Sequence, residues 1–162
     1  TKSAYTKIFS DLSPYQNITF AWTLSPQPII DKYEWATPSL VQRLKAAQIA
    51  INKGWNVRLC IDPILYQDNF EQDYNDLINI MVETLDIKKV NQITLGSFRM
   101  SGAHLRSIKK LSRSDLAFYP YSNQNDMITY SEKIESFILE FMLARITPHF
   151  PKERIRTWQR QS

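Results

Sequence analysis

Two residues of opposite charge stand just past short apolar runs. Asp62 follows Val57–Ile61 and precedes Pro63; Arg99 follows Val90–Leu95 and the Gly96-Ser97-Phe98 step. A carboxylate in such a place accepts hydrogen bonds from a ribose or an amine, or caps the following turn; residue type leaves both open. A guanidinium there grips a carboxylate or phosphate through two parallel bonds, or makes an ordinary surface ion pair. Thr23, Ser25, Gly96 and Ser97 join this set by position. Parallel α/β sheets bind their ligands at the carboxyl ends of strands.

Other chemistries find less material. With three glycines in all, a glycine-rich phosphate loop is not to be expected, and neither a Walker motif nor a G-x-S-x-G elbow occurs. His104 and His149 fall on different predicted elements, with no cysteine or second histidine close by in sequence, so neither has metal-site spacing. His149 reads as a residue near a helix end, where a partly charged imidazole is favourable. Cys60 is the one cysteine, which rules out an internal disulfide and a Cys-only cluster site. Inside an apolar strand it reads as a small core residue rather than a nucleophile. Asp68, Glu71, Asp73 and Asp76 read as a solvated face at the start of a helix. Arg154, Arg156 and Arg160 form a tail able to meet phosphate, though a solvated tail is the simpler reading.

These residues need a scaffold, and the composition provides one. The chain has 162 residues, 43% hydrophobic and 22% charged, which fits one globular domain over residues 1–162 and argues against disorder. A net charge of +4 permits an anionic partner without demanding one. The polar start Thr1-Lys2-Ser3 is unlike a signal peptide, and no apolar run is long enough to span a bilayer. One cysteine and no membrane segment fit a reducing, cytoplasmic setting. The chain lacks an initiator methionine, which reads as a missing upstream part.

Strands and helices alternate along the chain. Ile18, Phe20, Trp22 and Leu24 share one face of a strand over Asn17–Ser25, stopped by Pro26 and Pro28. Thr37-Pro38 opens a helix with the stripe Leu40, Val41, Leu44, Ala47 and Ile51, and Gly54 suits a left-handed cap. Val57–Ile61 is a second strand, ended by Pro63. A helix follows from about Asn69 to Leu85, with Phe70, Tyr74, Leu77, Ile78 and Met81 at helical spacing. Val90–Leu95 is a third strand and Gly102–Leu111 a short helix. Leu116–Tyr119 reads as a fourth strand and Tyr121–Met127 as a turn or hairpin. Thr129-Tyr130-Ser131-Glu132 matches a capping box before a last helix to about Arg145. Arg154–Gln159 reads as a short final strand. This β-α-β-α-β order implies a parallel sheet, either an open doubly wound one or part of a (β/α) barrel.

Several stretches are similar, in the same order, to the words of one known family. Tyr33-Glu34-Trp35-Ala36-Thr37-Pro38-Ser39 is similar to that family's F-E-P-G-T-P-S segment, and Gln42-Arg43-Leu44-Lys45-Ala46-Ala47 to the helix behind it. Gly54-Trp55, Ile61-Asp62-Pro63-Ile64, Asn69-Phe70-Glu71-Gln72-Asp73-Tyr74 and Ile93-Thr94-Leu95-Gly96-Ser97-Phe98-Arg99 resemble further family words in the same order. Thr1-Lys2 resembles a strand end of the same family, and together these stretches resemble the spore photoproduct lyase-like members of the radical S-adenosylmethionine (SAM) superfamily.

The resemblance implies a partial (β/α) barrel with parallel strands and outer helices, lacking the N-terminal half. In the family that half carries C-x-x-x-C-x-x-C and a 4Fe–4S cluster, so the cluster is expected in the complete protein only. By matching position, Lys2, Thr23 and Asp62 are the expected SAM contacts; Arg99 is the expected substrate contact from its strand-end place and its guanidinium alone. DNA or a nucleotide is the implied partner. The family's basic, aromatic hairpin is replaced by Pro120, Asn123, Gln124, Asn125 and Asp126. The exposed sheet edges of half a barrel imply pairing with the missing half or with a second copy. Two other readings are a non-catalytic interaction or nucleic-acid-binding domain derived from such a barrel, and an unrelated open α/β ligand-binding domain.

Overall fold

A computed structural model gives the fold and describes residues 1–111, 115–124 and 127–158. Asn125, Asp126 and Arg160, named above, lie outside the described residues.

Four strands form the main sheet: β1 (Thr19–Thr23), β2 (Asn56–Ile64), β3 (Gln92–Ser97) and β7 (Ile155–Thr157), in the order β1-β2-β3-β7 and all parallel. The alternation along β2 explains the layering. Val57, Leu59 and Ile61 are fully buried, while Arg58 between them is exposed and Cys60 and Asp62 half-buried. The buried face packs on α3 (Leu40–Asn52) and α4 (Phe70–Thr84), whose apolar stripes supply Leu44, Ala47, Leu77 and Met81. The opposite face is polar. One register row across it reads Thr23, Cys60, Thr94, Arg156. Cys60 therefore stands on this half-open polar face and not in the core, because it is out of phase with Leu59 and Ile61.

Thr1 extends the sheet beyond β1. Its amino group donates to the Ala21 carbonyl at 2.6 Å, and its own carbonyl accepts from the Thr23 amide at 2.8 Å. This is a parallel bridge around Trp22, the pattern expected of a strand end.

Four local readings are corrected. The helix α3 starts at Leu40, after Ser39 rather than Thr37, because Ser39 and Gln42 exchange side-chain and backbone hydrogen bonds in a capping box. Strand β2 runs through Pro63 to Ile64, with a cis Asp62–Pro63 bond and a register shift against β3. Asp115–Phe118 is a 3-10 turn, not a strand; its Asp115 carboxylate is clasped by Lys32 and Tyr33. The fourth parallel strand is the tail segment, β7. The last helix, α6 (Glu132–Ile146), begins after Ser131 without a side-chain cap, while Thr129 sits in a strand and donates to the Phe98 carbonyl at 2.9 Å.

Two helices escape the periodicity argument: α1 (Lys7–Asp11) and α2 (Gln27–Tyr33), the latter with Pro28 in its first turn. A small antiparallel sheet follows β3 directly. It consists of β4 (Arg99–Ser101), β5 (Ser122–Gln124) and β6 (Met127–Thr129), ordered β4-β6-β5, with α5 (Gly102–Leu111) packed on β4 and β6. The expected hairpin is thus present.

Candidate functional site

The strand ends carry most of the chemistry. Thr23 closes β1 and pairs in register with Cys60, so Asp62 stands two residues further along the neighbouring strand on the same face. Gly96 and Ser97 end β3, and Arg99 opens β4 beside them. Lys2 follows Thr1 at the outer edge of β1. Lys2, Thr23, Asp62 and Arg99 therefore occupy successive positions along one rim.

Two ion pairs organise that rim. Arg99 meets Asp62 fork to fork, Nη1 to Oδ1 at 2.8 Å and Nη2 to Oδ2 at 2.9 Å, and its Nη1 also donates to the Ser97 carbonyl. The guanidinium lies 4.6 Å from the Trp158 ring centre, a cation–π contact. Gly96 makes room for this arrangement. A Cβ there would lie 2.7 Å from Asp62 Cγ and 2.8 Å from Arg99 Nη1. Asp62 and Arg99, read separately above, are thus each other's partner in this structure.

The second pair, Glu34 and Arg43, was not read from the sequence as a site. Arg43 is fully buried. It donates to Glu34 Oε2 at 2.5 Å, to Thr37 Oγ1, and to the Pro38 and Thr23 carbonyls. Glu34 also accepts from the Ser25 hydroxyl at 2.7 Å and lies 3.1 Å from Lys2 Nζ. Burial alone would raise the Glu34 carboxyl, but the bonds from Ser25, Arg43 and Lys2 outweigh it and hold the group below its ordinary value. Arg43 ties the end of β1 to α3, and Glu34 ties both to Lys2. A signal was present: position 43 falls on the apolar stripe of Leu40, Leu44 and Ala47, and a cation there demands a buried anion.

A cleft of about 460 Å³ opens between the end of β3 and α6. Ser97, Glu132, Glu135 and Trp158 line it over an apolar floor of Leu95 and Ile138. Glu135 accepts from the Ser97 hydroxyl at 3.1 Å and is in close contact with the Thr129 hydroxyl.

The remaining candidates are placed elsewhere. His104 is exposed on α5 and His149 follows α6, as its helix-end reading expected. Among the described residues no group of three His, Cys, Asp or Glu is placed to hold a metal ion. Asp68 precedes α4, whose opening turns carry Glu71, Asp73 and Asp76; partial burial, then the Asp76 charge, raises the Asp73 carboxyl. Arg154 is no solvated tail residue. It donates to the Val90 carbonyl at 2.9 Å and lies over Phe150, pinning β7 to the loop before β3. Arg156 is exposed on the polar face. Among the described residues no helix is long and apolar enough to cross a membrane.

A parallel sheet with helices on one face and a polar rim at its strand ends defines a partial (β/α) barrel. The spore photoproduct lyase family model matches residues 1–156, so the chain belongs to that family. A solved spore photoproduct lyase double mutant, with bound AdoMet and dinucleoside spore photoproduct, superposes with a TM-score of 0.72 at 18% identity, over 86% of this chain and 43% of that one. A second structure of the lyase complexed with dinucleoside spore photoproduct gives 0.71 at 18% identity over the same shares. The chain thus spans less than half the length of these solved relatives. A search of curated proteins finds no match.

Proposed function

We propose that this chain forms, as one domain, the C-terminal part of a cytoplasmic SAM-dependent barrel whose complete protein carries out photoproduct lyase-type radical chemistry on DNA or a nucleotide. The observation that carries the reading is the rim itself: Lys2, Thr23 and Asp62 stand along one edge of the parallel sheet, and Arg99, which opens the small antiparallel sheet, is held there by Asp62, in a member of the lyase family.

The residues fit SAM in part. The Lys2 ammonium, 40% exposed at its side chain, would take the SAM carboxylate while Arg43 keeps Glu34 neutralised. The Thr23 hydroxyl makes no side-chain hydrogen bond among the described residues and would meet the ribose. Asp62 already holds Arg99 and would act through it, presenting the guanidinium to an anionic substrate. When bound beside a reduced cluster, SAM supplies a 5′-deoxyadenosyl radical. The described residues do not fit the 4Fe–4S cluster, and its ligands are assigned to the missing half of the barrel. That half is the proposed occupant of the polar sheet face, with a homo-oligomer as the substitute where it is absent.

A second reading, a non-catalytic partner- or nucleic-acid-binding domain derived from such a barrel, is favoured by one feature: the Asp62 carboxylate is engaged at both oxygens by Arg99. Equilibrium binding of SAM to the full-length protein separates the two. Lys2→Ala and Thr23→Val are each expected to weaken SAM about ten-fold, the size of one lost hydrogen bond to a charged or polar group. Unchanged affinity in both variants, or no SAM binding by the full-length protein, sinks the first reading.

A further inference from the structure

The excess positive charge of the molecule is concentrated on one short helix. Helix α5, Gly102–Leu111, carries Arg106, Lys109 and Lys110 and has no acidic residue. Leu105 is buried against Ile128, and Ile108 packs on the same small cluster. Arg106, Lys109 and Lys110 are all exposed. Their spacing of three and four places them on one helix face. The helix packs on β4, the strand that begins with Arg99, so this basic face flanks the rim.

Two large aromatic rings lie exposed beyond the helix. Phe118 is 63% exposed at the end of the Asp115–Phe118 turn, which packs against α5. Trp35 is 93% exposed just past α2. A clasp joins the two segments: Asp115 accepts from Lys32 Nζ at 2.6 Å and from Tyr33 Oη at 2.8 Å. Tyr33 stands two residues before Trp35, and Asp115 three before Phe118. Both rings therefore stand within three residues of one cross-link, with little to bury them. Cations on one helix followed by open π-faces match what a nucleic-acid strand presents, a phosphate chain with stackable bases.

We propose that α5, Phe118 and Trp35 form a track for a single nucleic-acid strand. Arg106, Lys109 and Lys110 meet its phosphates, and the two rings stack its bases. The proposal takes only the class of partner from the functional reading above; the track itself rests on charge, exposure and the Lys32–Asp115 clasp.

The test is fluorescence anisotropy of a labelled oligothymidylate with the full-length protein over a salt series. For single strands each phosphate contact contributes about 0.7 to the slope of log affinity against log salt. Changing Arg106, Lys109 and Lys110 together to Gln is expected to flatten that slope by about 2. Trp35→Ala and Phe118→Ala are each expected to weaken binding about ten-fold with the slope unchanged, since stacking is not a counterion effect. All changed side chains are exposed, so thermal unfolding should stay close to wild type. The proposal is overturned if the triple variant keeps the wild-type slope, or if the ring variants bind as wild type. It is equally overturned if wild type shows no salt-dependent binding, or if anionic phospholipid vesicles compete fully for α5. SAM affinity should not move in any of these variants. Loss of oligothymidylate binding with SAM binding intact leaves the SAM-dependent reading standing; a track that works in a protein unable to bind SAM rejects the SAM-dependent reading alone.

Discussion

Asp62 and Arg99, 37 residues apart in sequence, meet through two parallel bonds of 2.8 and 2.9 Å directly over Gly96. The pair joins the main parallel sheet to the small antiparallel one, since Asp62 belongs to β2 and Arg99 opens β4. Trp158, just beyond β7, covers the guanidinium. Three strand ends are thus fixed through one Arg side chain, and the rim geometry depends on it.

Gly96→Ala should break this arrangement. The added methyl would meet the Asp62 carboxyl carbon at 2.7 Å, and the strand backbone on which Gly96 sits gives little room to retreat. A loss of about 1–3 kcal/mol is expected, of the size seen for overpacking. Denaturant unfolding of Gly96→Ala, Asp62→Ala and the double variant reads the coupling. The methyl should cost much less once Asp62 is shortened. Simple additivity would show that the clash is relieved elsewhere.

The parallel core was legible because its signals are local and redundant. Trp22 and Leu24 alternate, α4 shows an apolar stripe, and Gly54 has the positive φ of 86° that its cap position called for. Asp62 and Arg99 were also legible as strand-end residues, although their partnership was not, since no periodicity reports a contact across 37 positions. Helix α2 was hidden by Pro26 and Pro28, which read as stops although proline fits a first helical turn. The Asp115–Phe118 turn was mistaken for a strand because four apolar or aromatic residues in five look alike in either state. The contact that accompanies the turn, Lys32 to Asp115, is a tertiary bond across 83 residues and leaves no local signal.

The Glu34–Arg43 pair makes a pH prediction. The Glu34 carboxyl lies below its ordinary 4.5 in the folded chain. As pH falls, the unfolded chain takes up this proton first, so the contribution to stability is present above about 4.5 and is lost as pH drops through the folded value. Glu34→Gln leaves the buried Arg43 without its anion and should cost about 3–5 kcal/mol at neutral pH. The two stability curves should converge in acid, where wild-type Glu34 is itself neutral. Parallel curves down to low pH would show that Glu34 does not carry this linkage.

Two buried phenols predict the alkaline limb. Tyr74 Oη accepts the Leu65 amide and Tyr130 Oη the Tyr66 amide, both at 2.8 Å, so together they hold the loop that leaves β2. Burial pushes both phenols well above their ordinary 10.0. Above that pH the unfolded chain ionises and the folded one does not. Stability should therefore be intact below pH 10.0 and fall beyond it by about 1.4 kcal/mol per pH unit for each tyrosine. Tyrosinate absorbance should rise together with loss of the far-ultraviolet helix signal. Tyr74→Phe removes one share of the slope, and it costs about 1–3 kcal/mol at neutral pH by leaving the Leu65 amide without an acceptor. A phenol that titrates before unfolding would contradict the burial described.

Ala36 is the non-glycine residue with a left-handed backbone among the described residues, at φ 57°. It follows the exposed Trp35 in the turn that brings Glu34 under Lys2 and Thr37 against Arg43. A Cβ in this region costs about 1–2 kcal/mol, and glycine is free of that cost while losing more chain entropy on folding. The two effects oppose each other, and the steric one is the larger at a positive φ. Ala36→Gly should therefore stabilise the protein by about 0.5–1 kcal/mol, read as a rise in thermal midpoint with an unchanged denaturant m-value. Ala36→Val should do the reverse and by more, because a β-branched side chain fits this backbone worse than alanine does. If glycine destabilises and valine is tolerated, the turn does not hold the left-handed conformation that positions Glu34.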